Sequence, residues 1–104
     1  MNKRLEMLEK LTSQGNAENM AWYGLAMEYR KLGRIEDSLS AFNSLRDQDP
    51  SYLAMYLMAG QLLTEADRAS EARVWLEQGI ELARQQGNPK ALSELEDALT
   101  GLDG

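Results

Sequence analysis

Apolar residues recur at every third or fourth position through most of the chain, and short polar breaks separate the runs. This spacing places apolar side chains along one face of an α-helix, whereas a half-buried strand would alternate apolar and polar residues. No stretch alternates in that way. The pattern therefore predicts an all-α fold of about six helices. The predicted helices span residues 3–12, 18–32, 35–48, 51–65, 69–86 and 89–101.

Glycine, asparagine and proline mark the predicted helix ends. Gly15 and Gly33 follow the first and second helices, where a left-handed residue can complete the hydrogen bonding of the last turn. Pro50 ends the third helix, because proline disfavours a helical backbone at the residue before it. Asn16 or Asn19 can cap the second helix, since a side-chain oxygen there accepts a hydrogen bond from a free backbone N–H group.

The predicted helices differ in how their apolar residues are distributed. The first directs Leu5, Leu8 and Leu11 to one side and is too short to be stable unless it packs on a neighbour. The fourth is apolar almost all round, so either both of its sides are covered or one side binds a partner. On the fifth, Trp75 lies off the apolar stripe. It either packs on the last helix or belongs to a second contact surface.

The chain repeats itself at a shift of 34 residues, which is the length of two predicted helices and the turn between them. Six positions that lie on helix faces are of similar type in the two copies. The matching pairs are Trp22 and Tyr56, Leu25 and Ala59, Ala26 and Gly60, Tyr29 and Leu63, Ser38 and Ala72, and Phe42 and Leu76.

With a period of 34 residues in a helix–turn–helix unit, the chain resembles the tetratricopeptide-repeat family. In the first copy the family pattern is carried by Trp22, Leu25, Ala26, Tyr29, Gly33, Ser38, Phe42 and Pro50. The second copy departs from that pattern in three places: Leu63 replaces the second aromatic residue, Asp67 replaces the turn glycine and Arg84 replaces the proline. The resemblance implies a short right-handed α-solenoid of antiparallel helix pairs. It also implies one domain over residues 1–104, with an N-terminal helix (1–15), two repeats (19–52 and 53–88) and a capping helix (89–102).

The resemblance further implies that the first helix of each repeat lines a concave groove. The predicted partner-binding residues are Met20, Tyr23, Met27, Arg30, Leu57, Met58 and Gln61. A methionine-rich surface suits a peptide or helix, because the methionine side chain adapts to irregular partners. Alternatively, Leu57 and Met58 pack on neighbouring helices of a tightly wound array. Gly24 either admits a ligand backbone or relieves crowding by a flanking helix.

Composition excludes several kinds of chemistry. The chain has 17 acidic and 11 basic residues and a net charge of −6, which opposes binding to nucleic acid or an anionic membrane. It has no cysteine and no histidine, so disulfides, zinc sites of the usual kind and a histidine base are excluded. Asp47 and Asp49 resemble the start of a calcium loop, but Tyr52 and Met58 stand where glycine and glutamate are required. We expect no metal, no cofactor and no catalytic residues.

These observations predict a non-catalytic protein–protein interaction scaffold that binds a peptide or helix in an apolar, methionine-rich groove. The alternative is a homo-oligomerisation module that uses the same surface, since an exposed apolar patch favours self-association. The start of the chain lacks the apolar core of a signal peptide, and no apolar run is long enough to span a membrane. A cytoplasmic protein is the default expectation.

Overall fold

Six α-helices account for most of the residues in the computed structural model, which describes residues 2–103. The helices are Lys3–Ser13 (α1), Asn19–Lys31 (α2), Ile35–Gln48 (α3), Ala54–Glu65 (α4), Ala69–Gln86 (α5) and Pro89–Asp103 (α6). No strand occurs within the described range. The predicted all-α fold of six helices is confirmed, while residues 1 and 104 of the predicted domain lie outside the described part.

The helices form two compact units, which we call the N-terminal unit and the C-terminal unit. The N-terminal unit ends at Tyr52 and holds α1, α2 and α3, whereas the C-terminal unit begins at Leu53 and holds α4, α5 and α6. In the N-terminal unit, α2 packs against both α1 and α3. In the C-terminal unit, α5 packs against α4 and α6, and α4 also contacts α6. In the N-terminal unit α2 is therefore covered on two sides, while in the C-terminal unit each helix contacts both of the others.

The glycines end the helices as predicted, whereas the predicted asparagine cap of the second helix does not form. Gly15 and Gly33 have φ angles of 82° and 74°, in the left-handed region expected of helix-ending residues. The predicted cap is wrong, because α2 begins after Glu18 without a side-chain cap. Asn19 instead donates to the Asp49 carboxylate at 2.7 Å and accepts from the Gln48 amide at 2.8 Å. These bonds join the start of α2 to the end of α3.

Helix α4 begins three residues later than predicted. The Asp49 carboxylate accepts hydrogen bonds from the backbone N–H of Ser51 at 3.0 Å and from its hydroxyl at 2.6 Å. Local bonds of this kind hold the chain in a turn and compete with helix formation. The bonds to Ser51, followed by one from Asn19, also lower the pKa of Asp49. The segment that resembles a calcium loop is thus a turn closed by hydrogen bonds within the protein.

The packed side of α1 consists of Leu5, Leu8 and Thr12, all of which are buried. The prediction that Leu11 also points inward is wrong, since 41% of this residue remains exposed. At 100° per residue, Leu11 lies about a quarter turn away from the centre of the buried stripe. Thr12 takes the inward place because its hydroxyl donates to the Leu8 carbonyl at 2.9 Å and needs no further partner.

Helices α2 and α3 approach closely at a pair of small residues. Ala26 and Ser38 are both completely buried, and the Ser38 hydroxyl donates to the Ala26 carbonyl at 2.7 Å. Phe42 and Leu45, which follow Ser38 on α3, are also fully buried. Small residues at a helix crossing let large neighbours interdigitate, which is the packing that the repeat pattern implies.

The core of the C-terminal unit contains Trp75, which is only 4% exposed and lies with its ring 5.8 Å from that of Tyr56 on α4. The alternative that placed Trp75 on a second contact surface is therefore wrong. The buried arc of α5 is wider than the stripe read from the sequence, because α5 packs against two helices. A residue next to the stripe is then also enclosed.

Two glycines set the helix separations in this unit. A Cβ atom at Gly60 would lie 2.4 Å from Cδ2 of Leu76, and one at Gly79 would lie 2.7 Å from Cβ of Tyr56 and 2.9 Å from Cδ2 of Leu95. Real Cβ atoms do not approach other carbons so closely. Because Leu76 and Leu95 are at most 1% exposed, neither has free space into which it could move.

Replacement of Gly60 by alanine should destabilise the protein by about 1–3 kcal/mol, because overpacking outweighs the gain in helix propensity. Gly101→Ala is the matched control, since no atom lies within 4 Å of a Cβ built at that helical position. We expect the control to leave stability unchanged or raise it by up to about 1 kcal/mol. Urea unfolding followed by circular dichroism measures both. Equal stability of the two variants would show that the helices can separate at Gly60 without cost.

Asp67, which replaces the turn glycine of the second repeat, adopts a left-handed conformation with φ of 62°. This conformation strains a residue that has a Cβ atom. Asp67→Gly should therefore stabilise the protein by about 0.5–1 kcal/mol, whereas Asp67→Val should destabilise it. Thermal unfolding compares the three proteins. A lower melting temperature for Asp67→Gly would mean that the aspartate makes a compensating interaction in the turn.

Candidate functional site

The predicted partner-binding residues of the N-terminal unit lie along one side of α2. Met20 is 77% exposed, and Tyr23, Met27 and Arg30 are each half-buried. Their spacing of three and four residues places them in a row that is accessible over the length of the helix. This side therefore offers a flexible apolar side chain at each of two positions, an aromatic ring between them and a positive charge at the end.

Tyr23 is the most firmly held of these residues. Its ring lies 5.4 Å from that of Tyr52 and 6.4 Å from that of the buried Phe42, the latter at an interplanar angle of 71°. Burial raises the pKa of Tyr23, and Tyr52 acts in the same direction while Arg30 opposes it. The hydroxyl therefore stays protonated at neutral pH. A tyrosine held in this way can contact a partner with little loss of side-chain entropy.

The predicted residues of the C-terminal unit, Leu57, Met58 and Gln61, are all half-buried on α4. They keep part of their surface accessible, as do Ala54, Thr64 and Glu65 at the two ends of the helix. The fully buried residues of α4 are Met55, Tyr56, Ala59, Gly60, Leu62 and Leu63. The apolar residues of α4 thus form two groups. Most lie on a wide buried arc, and the others lie on a narrower, partly accessible side.

Gly24 does not face a ligand. A Cβ atom there would lie 3.3 Å from Cδ2 of Leu8 and 3.5 Å from Nη2 of Arg4, both on α1. The glycine is therefore covered by the flanking helix, which decides between the two alternatives that the sequence leaves open. Its small size allows α1 to lie close to α2.

Polar contacts next to this glycine hold α1 in place. Glu28 is only 9% exposed, and its carboxylate accepts hydrogen bonds from Nε of Arg4 at 3.1 Å and from the Asn2 amide at 3.2 Å. The Tyr29 hydroxyl donates to the Glu9 carboxylate at 2.5 Å. The sequence places Tyr29 on the inward stripe but does not reveal these bonds, because they join residues at least 20 positions apart.

The Tyr29 ring also supports the turn that follows α2. The guanidinium carbon of Arg34 lies 4.5 Å from the ring centroid, which is a cation–π distance. Burial raises the pKa of Tyr29 to about 12, and the hydrogen bond to Glu9 acts in the same direction. The phenol therefore remains a hydrogen-bond donor to Glu9 throughout the physiological range of pH.

A surface cleft of about 360 Å³ lies where α1 ends and α2 begins. It is lined by Leu8, Leu11, Gln14, Asn16, Ala17, Glu18, Met20 and Ala21. Met20 therefore borders this cleft as well as the row on α2. Close by on α1, Met7 is 51% exposed. Neither Met7 nor the exposure of Leu11 was predicted from the sequence. The sequence did contain one indication of an exposed apolar residue, because Met7 falls on the polar side of the amphipathic first helix.

Within residues 2–103, no group of three or more acidic side chains is arranged to hold a metal ion. None of the helices in this range is long and apolar enough to cross a membrane. The accessible side chains of α2 and α4 instead provide apolar, aromatic and single charged contacts. Such an arrangement suits recognition of another protein surface.

Known proteins share both the sequence pattern and the fold. The profile of the tetratricopeptide repeat family matches residues 29–96. The chain is similar to the TPR repeat-containing protein PA0015 of Pseudomonas aeruginosa, with 29% identity over 99 residues that cover 95% of this chain and 94% of that protein.

Two solved structures have a similar fold. The crystal structure of a tetratricopeptide repeat domain protein from Salinibacter ruber is 37% identical with a TM-score of 0.76, and the match covers 84% of this chain and 97% of that one. Protein BPP2914 from Bordetella parapertussis, known from a solution structure, is 24% identical with a TM-score of 0.83 and shows the same fold. That match covers 99% of this chain and 90% of the other.

The chain belongs to the tetratricopeptide repeat family. The family predicted from the 34-residue period is thus confirmed. Domains of this family bind protein partners and serve as interaction scaffolds.

The raised pKa of Tyr29 should make stability depend on pH above 10. The unfolded chain loses the phenolic proton near pH 10, whereas the folded protein keeps it up to about pH 12. The free energy of unfolding should therefore fall as pH rises from 10 to 12. Tyr29→Phe should show a smaller fall, because groups other than Tyr29 titrate in both proteins.

Urea unfolding at several pH values measures this difference. At pH 8 the variant should already be less stable by about 1 kcal/mol, through loss of the hydrogen bond to Glu9. Curves of identical slope above pH 10 would contradict the assigned role of Tyr29.

Proposed function

We propose that this chain is a non-catalytic adaptor that binds a peptide or short helix of another protein through the accessible sides of α2 and α4. Family membership supports a protein as the partner. The net charge of −6 makes nucleic acid an unfavourable one. The proposed contact residues are those predicted from the sequence: Met20, Tyr23, Met27 and Arg30 on α2, and Leu57, Met58 and Gln61 on α4.

The observation that carries the proposal is the arrangement of Tyr23 between Met20 and Met27. The tyrosine ring is fixed against Tyr52 and Phe42. The methionine on either side can change rotamer to fit the partner. Fixed aromatic anchors surrounded by adaptable apolar side chains are typical of binding surfaces. Complete burial of one such methionine contributes about 1.5–3 kcal/mol.

Charge adds a preference to the apolar contacts. Arg30 lies one helical turn beyond Met27 on the same side of α2. Its guanidinium group can bind a carboxylate of the partner in bidentate fashion. We therefore propose a partner segment with two apolar side chains and an acidic residue after them.

Self-association through the same surface is the second candidate function. It is favoured by the 77% exposure of Met20, because a large apolar side chain so accessible gains from contact with any complementary surface. Variants of Met27 test the two functions together, since both require the same side of α2.

Met27→Glu should abolish partner binding while leaving helicity and melting temperature nearly unchanged, because this side chain is only half-buried. Met58→Glu should do the same for the contacts of α4. Val74→Glu is the matched control, since Val74 is 49% exposed on α5 and outside the proposed surface. Proteins retained from a cell extract by each immobilised variant are quantified by mass spectrometry, and light scattering reports self-association.

The expected result is at least a tenfold loss of specific partners with Met27→Glu and none with Val74→Glu. Unchanged retention by both methionine variants would remove the proposed surface. Unfolding of Met27→Glu would assign Met27 to the core. A protein that retains no partner and self-associates through Met27 would support the second function instead of the first.

A further inference from the structure

The outer side of α1 carries two exposed apolar residues in a setting of charges. Met7 and Leu11 lie one turn apart and are 51% and 41% exposed. Glu6 and Lys10 flank them, also one turn apart and exposed. Neither charge forms an ion pair with a residue in the described range, so both are available to a partner. This side lies away from the buried stripe of α1, and at its edge Leu11 lines the cleft that Met20 of α2 also borders.

We propose that this side of α1 binds a second copy of the chain, with the two α1 helices antiparallel about a twofold axis. Such a symmetric interface places the same patch on both copies, so the patch must complement itself. Glu6 and Lys10 provide that complementarity. When the axis passes near the middle of α1, Glu6 of each copy lies beside Lys10 of the other.

The apolar residues fit the same arrangement. In this register Met7 of one copy lies between Met7 and Leu11 of the other, because residues one turn apart leave a gap between them. Two ion pairs then lie along one edge of an apolar centre. A parallel arrangement would instead place the charged edges of the two copies on opposite sides of the contact, where Glu6 and Lys10 could not pair.

The distribution of charge over the chain also favours a contact through the N-terminal unit. Most of the excess of acidic over basic residues lies after Tyr52. Two copies that meet through α1 bring together the unit of nearly balanced charge, whereas contact through the C-terminal unit would bring together two acidic surfaces.

The expected dimer is weak. Helix α1 has 11 residues, so its length is about 16 Å. Contact between two such helices buries less than about 1,200 Å² in total, which is the size of a transient interface. We therefore expect reversible association that becomes measurable between about 10 μM and 1 mM.

Charge reversal tests the proposed pairs. Glu6→Lys and Lys10→Glu should each weaken the dimer by about threefold to tenfold, since each replaces two attractive contacts by two repulsive ones. The double variant Glu6→Lys/Lys10→Glu should restore association, because it exchanges the charges within each pair. Sedimentation equilibrium from 10 μM to 1 mM at low and high salt gives the dissociation constants. High salt should weaken the wild-type dimer.

Further variants separate this contact from other possibilities. Met7→Ser/Leu11→Ser should weaken the dimer more than tenfold, and Val74→Ser should not change it, although all three residues are exposed. Circular dichroism verifies that each variant is folded. Met27→Glu should leave the dimer unchanged, which distinguishes the α1 contact from self-association through α2.

Three results would overturn the proposal. The first is a monomer up to 1 mM at low salt, which would leave this face for another occupant. The second is a dimer that Met27→Glu disrupts and the α1 variants do not. The third is failure of the double charge exchange to restore association.

Discussion

The close approach of helices at small residues is the constraint on which both units depend. Gly60 and Gly79 leave room for the side chains of Leu76 and Leu95, and no Cβ atom fits in either place. Ala26 and Ser38 serve the same purpose between α2 and α3. The large residues are then fully enclosed. The accessible side of each helix is therefore not needed to form the core. Partner contacts can be built there without disturbing the core.

A mixture of apolar and polar contacts attaches α1 to this framework. Leu8 packs over Gly24, while Glu28 and Tyr29 are hydrogen-bonded to α1 side chains. The buried carboxylate of Glu28 requires its partner, since an unpaired charge at that depth is costly. The bonds therefore define one position of α1 along α2. That position determines which residues of α1 remain exposed.

The sequence predicted the helices well and the environment of single residues less well. The spacing of apolar residues and the glycine and proline breaks located all six helices, because both are local properties of the sequence. The inward direction of Leu11 was predicted wrongly, and the sequence left open whether Trp75 is packed or lies on a contact surface. Both residues lie beside a buried arc, and the width and centre of such an arc depend on how many neighbours the helix has. The bonds of Asn19 and Glu28 join distant parts of the chain, and no local pattern encodes them.

The bonds from Asn19 and Gln48 at the open end of the α2–α3 pair have a consequence for local unfolding. Helix ends are usually the first parts of a fold to open, because their last backbone groups lack partners. Here the start of α2 and the end of α3 are tied to each other through Asp49, and the turn at Gly33 closes the opposite end. The two helices are thus joined at both ends. Fraying at the start of α2 or at the end of α3 must first break the charge-assisted hydrogen bond between Asn19 and Asp49. The surface that α2 presents is thereby kept in one conformation before any partner arrives.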